Sequence, residues 1–375
     1  MSKSKLEILI YDKTGSELIV PYLGDFKFII LDIRDKKSLY FSRKSLLINY
    51  IVLKFLKFEL RGFKKDFILF CIKKYNPKLI ITYIDNDIDF YKLSEKLNIR
   101  TAFIQNGRRT KSFDIFGLII NRNNNIFKVD YQFVFNESMC KLYKSHIRGE
   151  QFVIGSFKSN NIPIQKSTNK SVLFLSSFSE FNENNYFGKN INGNKITFTQ
   201  FYSAESKILE TLNKWAENKN LKFDILPRLE NSEQERDFFI RSTKNIFLNF
   251  IDRKKKSFQN SYVLIDEYDL IITIDSTLGY EAIARKKKVM FIPLRSNFIE
   301  DDSFNFSWPC EFEKNGPFWI TDFDQEILIN KLEYIYNIGQ EEWHEKYDFI
   351  NNQVMVYDHS NSFFKNKLNE IIKIN

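Results

Sequence analysis

Apolar residues gather in short, nearly unbroken runs along the first part of the chain: Leu6–Ile10, Phe26–Ile33, Leu79–Thr82, Thr101–Ile104, Gln132–Phe135 and Phe152–Ile154. Runs this short predict strands. Between them, Asp66–Tyr75 and Asp87–Leu97 carry apolar residues at helical spacing behind acidic first turns, which predicts helices. Such alternation gives a doubly wound, mostly parallel sheet.

A polar interval, Lys158 to Lys170, follows, with Asn160, Asn161, Pro163 and Ser167. It predicts a boundary that divides the chain into domains 1–160 and 161–375. Beyond it a second series begins, with strands at Val172–Leu175, Phe223–Leu226, Leu270–Ile274 and Val289–Ile292 and helices near Glu205–Glu217, Glu233–Ser242 and Thr277–Ala284. The stretch from Gln325 onward reads as at least two helices. The expectation is an α/β protein of two Rossmann-like, doubly wound domains facing a cleft, with C-terminal helices packing across both.

Composition changes this picture little. A chain of 375 residues with 43% apolar content is long enough for two cores of ordinary size. No apolar run reaches the ~18–20 residues of a spanning helix: Ser45–Leu56 is broken at Lys54, and Leu18–Ile33 at Asp25 and Lys27. Lys3 and Lys5 precede only Leu6–Ile10 before Tyr11-Asp12, so no signal peptide is read and the expected location is cytoplasmic. Cys71, Cys140 and Cys310 are odd in number and far apart, which supports neither a disulfide framework nor a zinc knuckle.

The net charge of +9 would suit an anionic partner, but abundant Lys, Asn, Ile and Phe together are also what codon bias produces. The runs Arg253–Lys256 and Lys286–Lys288 read as solvated helix ends. Peripheral contact of those runs with the inner membrane face is the alternative.

Candidate chemistry collects at strand ends. Ile271–Ile274 runs through Asp275, Ser276 and Thr277 straight into a helix. Ligands of open α/β sheets bind at such ends, and a helix start offers unpaired N–H groups to phosphate. Glu281 lies one turn beyond Thr277, placed to reach a ribose. A plain serine N-cap explains Ser276 equally well, though a capping box does not explain Glu281. Pro227 stops another strand and leaves Arg228 to meet phosphate or carboxylate, and Ser176 and Ser177 end a third, where turn residues alone would also suffice.

In the first half, Gln105, Asn106, Gly107, Arg108 and Arg109 follow a strand and suit sugar hydroxyls and carboxylates, or simply form an exposed turn. Glu137 opens a helix, where the dipole favours a carboxylate. Asp85, Asn86, Asp87 and Asp89 spell Asp-x-Asp twice. The first-turn role of Asp87 and Asp89 is preferred over a metal site, leaving Asp85 and Asn86 as acceptor contacts. With only His146, His344 and His359, and no Gly-rich phosphate loop, zinc hydrolase, ATPase and dinucleotide chemistries fall away. No metal or cofactor is expected.

Four segments, Phe103–Arg108, Val129–Phe135, Val153–Asn161 and above all Ile274–Val289, resemble the surface carbohydrate biosynthesis protein family. That family is similar to the retaining β-Kdo transferases of capsule and lipopolysaccharide assembly, which have the GT-B fold and use a CMP-activated sugar without metal. The resemblance implies a glycosyltransferase taking Kdo or a related sugar acid from a CMP-sugar, with a glycan or glycolipid acceptor on the N-terminal domain and the donor on the C-terminal one. Nucleic acid is not implied as a partner.

Where related enzymes carry an acidic base before glycine, this chain has Asn106, and an amide cannot accept the proton. The catalytic carboxylate must then come from Glu137, Glu205 or Asp85, in that order. Donor contacts fall to Ser176, Ser177, Arg228, Asp275, Ser276, Thr277 and Glu281, since Leu226-Pro227-Arg228 replaces the His-Pro of those relatives. Acceptor contacts fall to Asn86, Gln105, Asn106, Gly107 and Arg108. A nucleotide-sugar epimerase of the same fold and a non-enzymatic binder of anionic polymer remain the rivals.

Overall fold

The computed structural model describes residues 6–57, 63–112, 114–120, 127–165, 171–179, 186–189, 192–230, 233–244, 248–252 and 258–373. The run 253–256 therefore lies outside the described residues. The chain forms two compact units, one of Met1–Asn106, Leu118–Lys158 and Asn361–Asn375, the other of Gly107–Gly117 and Ser159–Ser360.

The first unit is built on a six-stranded sheet: β1 (Ile8–Ile10), β2 (Phe28–Ile30), β3 (Leu79–Thr82), β4 (Arg100–Ile104), β5 (Phe127–Val134) and β6 (Ile147–Val153). All pairings are parallel, in the order β2-β1-β3-β4-β5-β6. Strands β1, β3 and β4 are buried almost throughout, as their unbroken apolar runs require. The last helix, Ser362–Lys373, belongs to this unit because Phe364 packs edge-on against Phe133 at 4.9 Å and Phe157 at 4.7 Å. Arg100 also donates to the Ile371 carbonyl at 2.8 Å.

The second unit holds β7 (Ser171–Leu175), the antiparallel hairpin β8 (Tyr186–Lys189) and β9 (Lys195–Thr197), then β10 (Lys222–Leu226), β11 (Leu270–Thr273) and β12 (Lys288–Phe291). Its main sheet is parallel in the order β10-β7-β11-β12. Each run read as a strand in the sequence overlaps a strand of one of the two main sheets. The hairpin, short and not apolar throughout, has no counterpart in that reading.

Helix Phe198–Asn218 starts earlier than its apolar spacing suggests, because Thr197 and Gln200 form a capping box that satisfies the first-turn donors. Helix Thr277–Ala284 sits unusually close to the sheet. A Cβ on Gly279 would lie 2.5 Å from Thr273 Cγ2 and 3.2 Å from a Phe291 ring carbon. Gly279→Ala is therefore expected to cost about 1–3 kcal/mol, as overpacking does, measured by urea unfolding.

The far end of the same helix is held by Arg285. Its buried guanidinium reaches Asp266 Oδ1 at 3.0 Å and the carbonyls of Ser159, Ile162 and Pro163 at 3.1, 2.8 and 3.1 Å. A cation at a helix C-terminus is favoured by the dipole, and here it also ties down the chain entering the unit. The neighbouring lysines are likewise structural: Lys287 donates to the Asp266 carbonyl at 2.9 Å, and Lys288 to those of Tyr336 and Ile338 at 2.8 and 2.9 Å. Both are buried, which removes them as a lipid-facing run.

Candidate functional site

From β7 the main sheet of the second unit grows outward to β10 and then back across to β11, so the winding reverses between β7 and β11. At such a reversal the connections leave in opposite directions and open a crevice beyond the strand ends. Strand β7 runs out into Ser176-Ser177, and β11 into Ile274-Asp275-Ser276-Thr277. A hollow of about 440 Å³ lies there, lined by Arg108, Ser177, Arg228, Asp275, Thr277 and Arg295, among others.

The Ser276 hydroxyl makes no capping bond to the helix that it precedes. Thr273 does the local bracing instead: its Oγ1 accepts from the Ser276 N–H at 3.2 Å and donates to the Leu175 carbonyl at 3.0 Å. That leaves the Ser276 hydroxyl lining the hollow at the positive end of a helix, where an anion is favoured. Thr277 Oγ1 accepts the backbone N–H of Arg108 at 3.2 Å. The Arg108 guanidinium donates to the Asp275 carbonyl at 3.3 Å and lies 3.8 Å from its carboxylate. These bonds explain why 107–117 belongs to this unit and not to the one before it in sequence.

Arg295, which the sequence analysis above does not mark, is the most connected cation here. It is buried, and its guanidinium donates to Ser177 Oγ at 2.7 Å, Asp275 Oδ1 at 2.8 Å and Glu205 Oε1 at 2.6 Å. One face lies 4.0 Å from the centre of the Phe201 ring, a cation–π contact. Burial by itself would lower its pKa, but Asp275 and Glu205 outweigh that and raise it above the ordinary value. In turn, burial would raise the Asp275 pKa, and Arg295 with Arg108 outweighs it and holds the carboxyl below its ordinary 3.8. The signal existed in sequence: Pro293 ends β12 and Arg295 follows, much as Pro227 ends β10 and Arg228 follows.

Arg228 itself is exposed and donates to the Ser177 carbonyl at 3.2 Å and Ser179 Oγ at 2.7 Å. Its loop is pinned from below by Glu235, whose carboxylate accepts the N–H groups of Arg228 and Leu229 at 3.2 and 3.3 Å. Glu235 is buried, and burial, with Glu205 adding repulsion, outweighs these hydrogen bonds and pushes its pKa up to about 7. A raised carboxyl pKa means the folded state holds the proton more tightly than the unfolded one. Glu235 should thus contribute stability at low pH that is lost as pH rises from its ordinary 4.5 toward about 7. Glu235→Gln keeps an acceptor and removes the titration, so its urea-unfolding stability is expected to be flatter than wild type across that window.

The other residues drawn from the sequence fall into separate groups. Glu205 lies fully buried beneath the hollow, held by Arg295, by Ser176 Oγ at 3.1 Å and by Ser177 Oγ at 2.7 Å. Glu281 is also buried, accepts from the Tyr262 hydroxyl at 2.9 Å and is absent from the hollow's lining. A Cβ on Gly107 would meet no heavy atom within 4 Å.

In the first unit, Asp85 is buried and accepts the Asn106 N–H at 3.0 Å and the Tyr143 hydroxyl. Gln105 is buried too, its side-chain carbonyl accepting from the Phe135 N–H at 3.0 Å, so it clasps β4 to the end of β5. Asn86 and Glu137 are exposed. Asp87 caps the next helix through the N–H groups of Asp89 and Phe90 at 2.9 and 3.2 Å, and Asp89 pairs with Lys65 at 2.8 Å, the structural use of that acidic cluster.

Among solved structures, the chain is similar to the UDP-GlcNAc 2-epimerase of Methanocaldococcus jannaschii in complex with UDP-GlcNAc and UDP. The two are 13% identical over 98% of this chain and 99% of that one, with a TM-score of 0.54. It is similar also to a Listeria monocytogenes protein described as a putative UDP-N-acetylglucosamine 2-epimerase, at 10% identity, 99% and 96% coverage and a TM-score of 0.56. The H548A form of the wall teichoic acid polymerase TagF matches at 13% identity, 99% and 90% coverage and a TM-score of 0.54. These likenesses, over nearly whole chains, give the two-unit α/β architecture as the GT-B fold. No curated protein sequence matches significantly. A family model described as "putative O-antigen biosynthesis protein" matches residues 102–372, which is well over half of the sequence, and the chain belongs to that family.

Proposed function

We propose that the protein is a glycosyltransferase of surface polysaccharide assembly whose nucleotide-activated donor rests its phosphate in the hollow of the second unit. The observation that carries this reading is the convergence of Arg108, Arg228 and Arg295 on the Ser276-Thr277 helix start at the β7/β11 reversal. Fixed cations and backbone dipoles in that place stabilise the charge that builds on phosphate as the sugar leaves, commonly the largest part of catalysis. Phe187, stacked on Phe201 at 3.8 Å, and Phe304 give the same hollow an aromatic wall that suits a nucleobase.

Membership of an O-antigen biosynthesis family favours sugar transfer, and the M. jannaschii neighbour holds UDP-GlcNAc and UDP on the same fold. The finer donor, a CMP-activated Kdo-like acid transferred with retention, rests on the family resemblance alone. Of the three carboxylates considered for catalysis, Glu137 is the exposed one. We assign it the role of attacking or stabilising the anomeric centre, as carboxylates do in glycosyl transfer with retention. Glu205 and Asp85, held in buried hydrogen bonds, position their neighbours.

The test is a thermal-shift screen of CMP, UDP, GDP and dTDP, followed by mass analysis of products from the matching sugar nucleotide with and without a glycan acceptor. Stabilisation by one nucleotide and product only with acceptor is the expected result. Conversion of the sugar nucleotide without acceptor would replace transfer by epimerisation. Binding that vanishes with salt and favours no nucleotide would leave only an anionic-polymer binder.

A further inference from the structure

Helix Lys44–Lys57 in the first unit is amphipathic in an inverted sense. Tyr50 points its buried ring into the protein, 5.1 Å from Phe63, 5.4 Å from Phe67 and 5.4 Å from Phe70. On another side Ile48, Ile51 and Val52, at i, i+3 and i+4, are 61%, 46% and 54% exposed. Residues so spaced form one continuous patch, and an aliphatic patch of this kind on a soluble surface marks something that covers it.

The charge around the patch says what that is. From residue 36 to residue 52 the chain has Lys36, Lys37, Arg43 and Lys44 and no Asp or Glu. Arg43 is engaged with the Ile30 carbonyl at 2.5 Å. Lys36, Lys37 and Lys44 are exposed, while on the following helix, Phe63–Tyr75, Lys65 is taken up by Asp89 at 2.8 Å. Protein interfaces are depleted in lysine, whereas an aliphatic stripe rimmed by lysines is how a helix lies in the headgroup layer of an anionic bilayer. Among the described residues no helix is long and apolar enough to cross a membrane, so the contact is one of lying on the surface. We propose that Ile48, Ile51 and Val52, with the exposed Lys36, Lys37 and Lys44, dock the first unit on an anionic lipid surface.

The experiment is flotation of the full chain with vesicles of phosphatidylglycerol and phosphatidylethanolamine in equal parts, and with vesicles of phosphatidylcholine alone. No nucleotide or acceptor enters the assay, so its outcome is separate from that of the donor reading. The wild type is expected to float with the anionic vesicles only. The combined Ile48→Ser, Ile51→Ser and Val52→Ser variant should lose at least about tenfold in partition, since apolar insertion supplies much of such binding, with an unchanged melting temperature. If that variant fails to fold, Lys36→Glu with Lys37→Glu, both at exposed positions, decides by the same loss.

Absence of wild-type flotation overturns the proposal, and so does undiminished flotation of folded variants. A wild-type dimer that the serine variant makes monomeric, without any vesicle binding, would make this face a contact between two copies and equally overturn it.

Discussion

Replacing Arg295 by alanine is expected to lower folding stability by about 3–5 kcal/mol, the cost of stranding buried charges, and to abolish measurable nucleotide binding. Both effects follow from one geometry. The guanidinium is shared by Glu205, Asp275 and the Ser177 hydroxyl, so its loss leaves two carboxylates buried without their common counter-ion and removes the bridge between the loops that follow β7 and β11.

The pH dependence should reverse accordingly. In the wild type Asp275 is held below its ordinary 3.8, so it contributes stability above that value and loses it only as pH falls through the depressed folded pKa. In the variant, burial of Asp275 without Arg295 raises its carboxyl pKa. The deficit should then shrink as pH is lowered below neutrality, where the stranded Asp275 can take up a proton. Urea unfolding at neutral and at lower pH measures this. Arg295→Lys keeps the charge but cannot fork to three oxygens, and an intermediate deficit is expected. An alanine variant within about 0.5 kcal/mol of wild type, the range of an ordinary surface change, would remove Arg295 from the centre of the site.

Arg228→Ala should separate binding from folding. The side chain is exposed and its contacts with Ser177 and Ser179 are with neutral oxygens, so stability is expected to stay within about 0.5 kcal/mol. Nucleotide affinity should fall about 10–100-fold, the worth of one charge-assisted phosphate contact, read by calorimetric titration of the nucleotide that the screen selects. Thr277→Ala should weaken binding as well, because the hydroxyl that receives the Arg108 N–H at 3.2 Å fixes the loop carrying that arginine. Unaltered affinity in both variants would mean that the hollow is not where the phosphate sits.

The two variants also explain why the site was only partly legible from the chain. Arg228, Ser177, Asp275, Ser276 and Thr277 each lie a few residues past a strand end, so continuous apolar runs ending in polar residues point to them. Glu281 shows the limit of that reasoning: helical spacing puts it one turn from Thr277, yet whether a residue on a helix meets ligand or core depends on what packs there, and Tyr262 packs there. Glu205 stood second among the carboxylates that could replace the acid missing at Asn106, and only the folded chain shows it enclosed with Arg295. Arg108 lies with residues assigned by sequence to the first domain, but its bonds to Thr277 and Asp275 span far more chain than local pattern can reach.

By itself the sequence determined the alternation of buried strands and helices, hence two parallel sheets, and the strand ends at which polar residues emerge, because burial periodicity is a local property of the chain. The order of strands, the reversal between β7 and β11, the return of Ser362–Lys373 to the first unit and the sharing of Arg295 between two acids were decided only in the folded molecule. Each depends on which distant segments meet, and a side chain's charge state and role are set by those neighbours, not by its place in the chain.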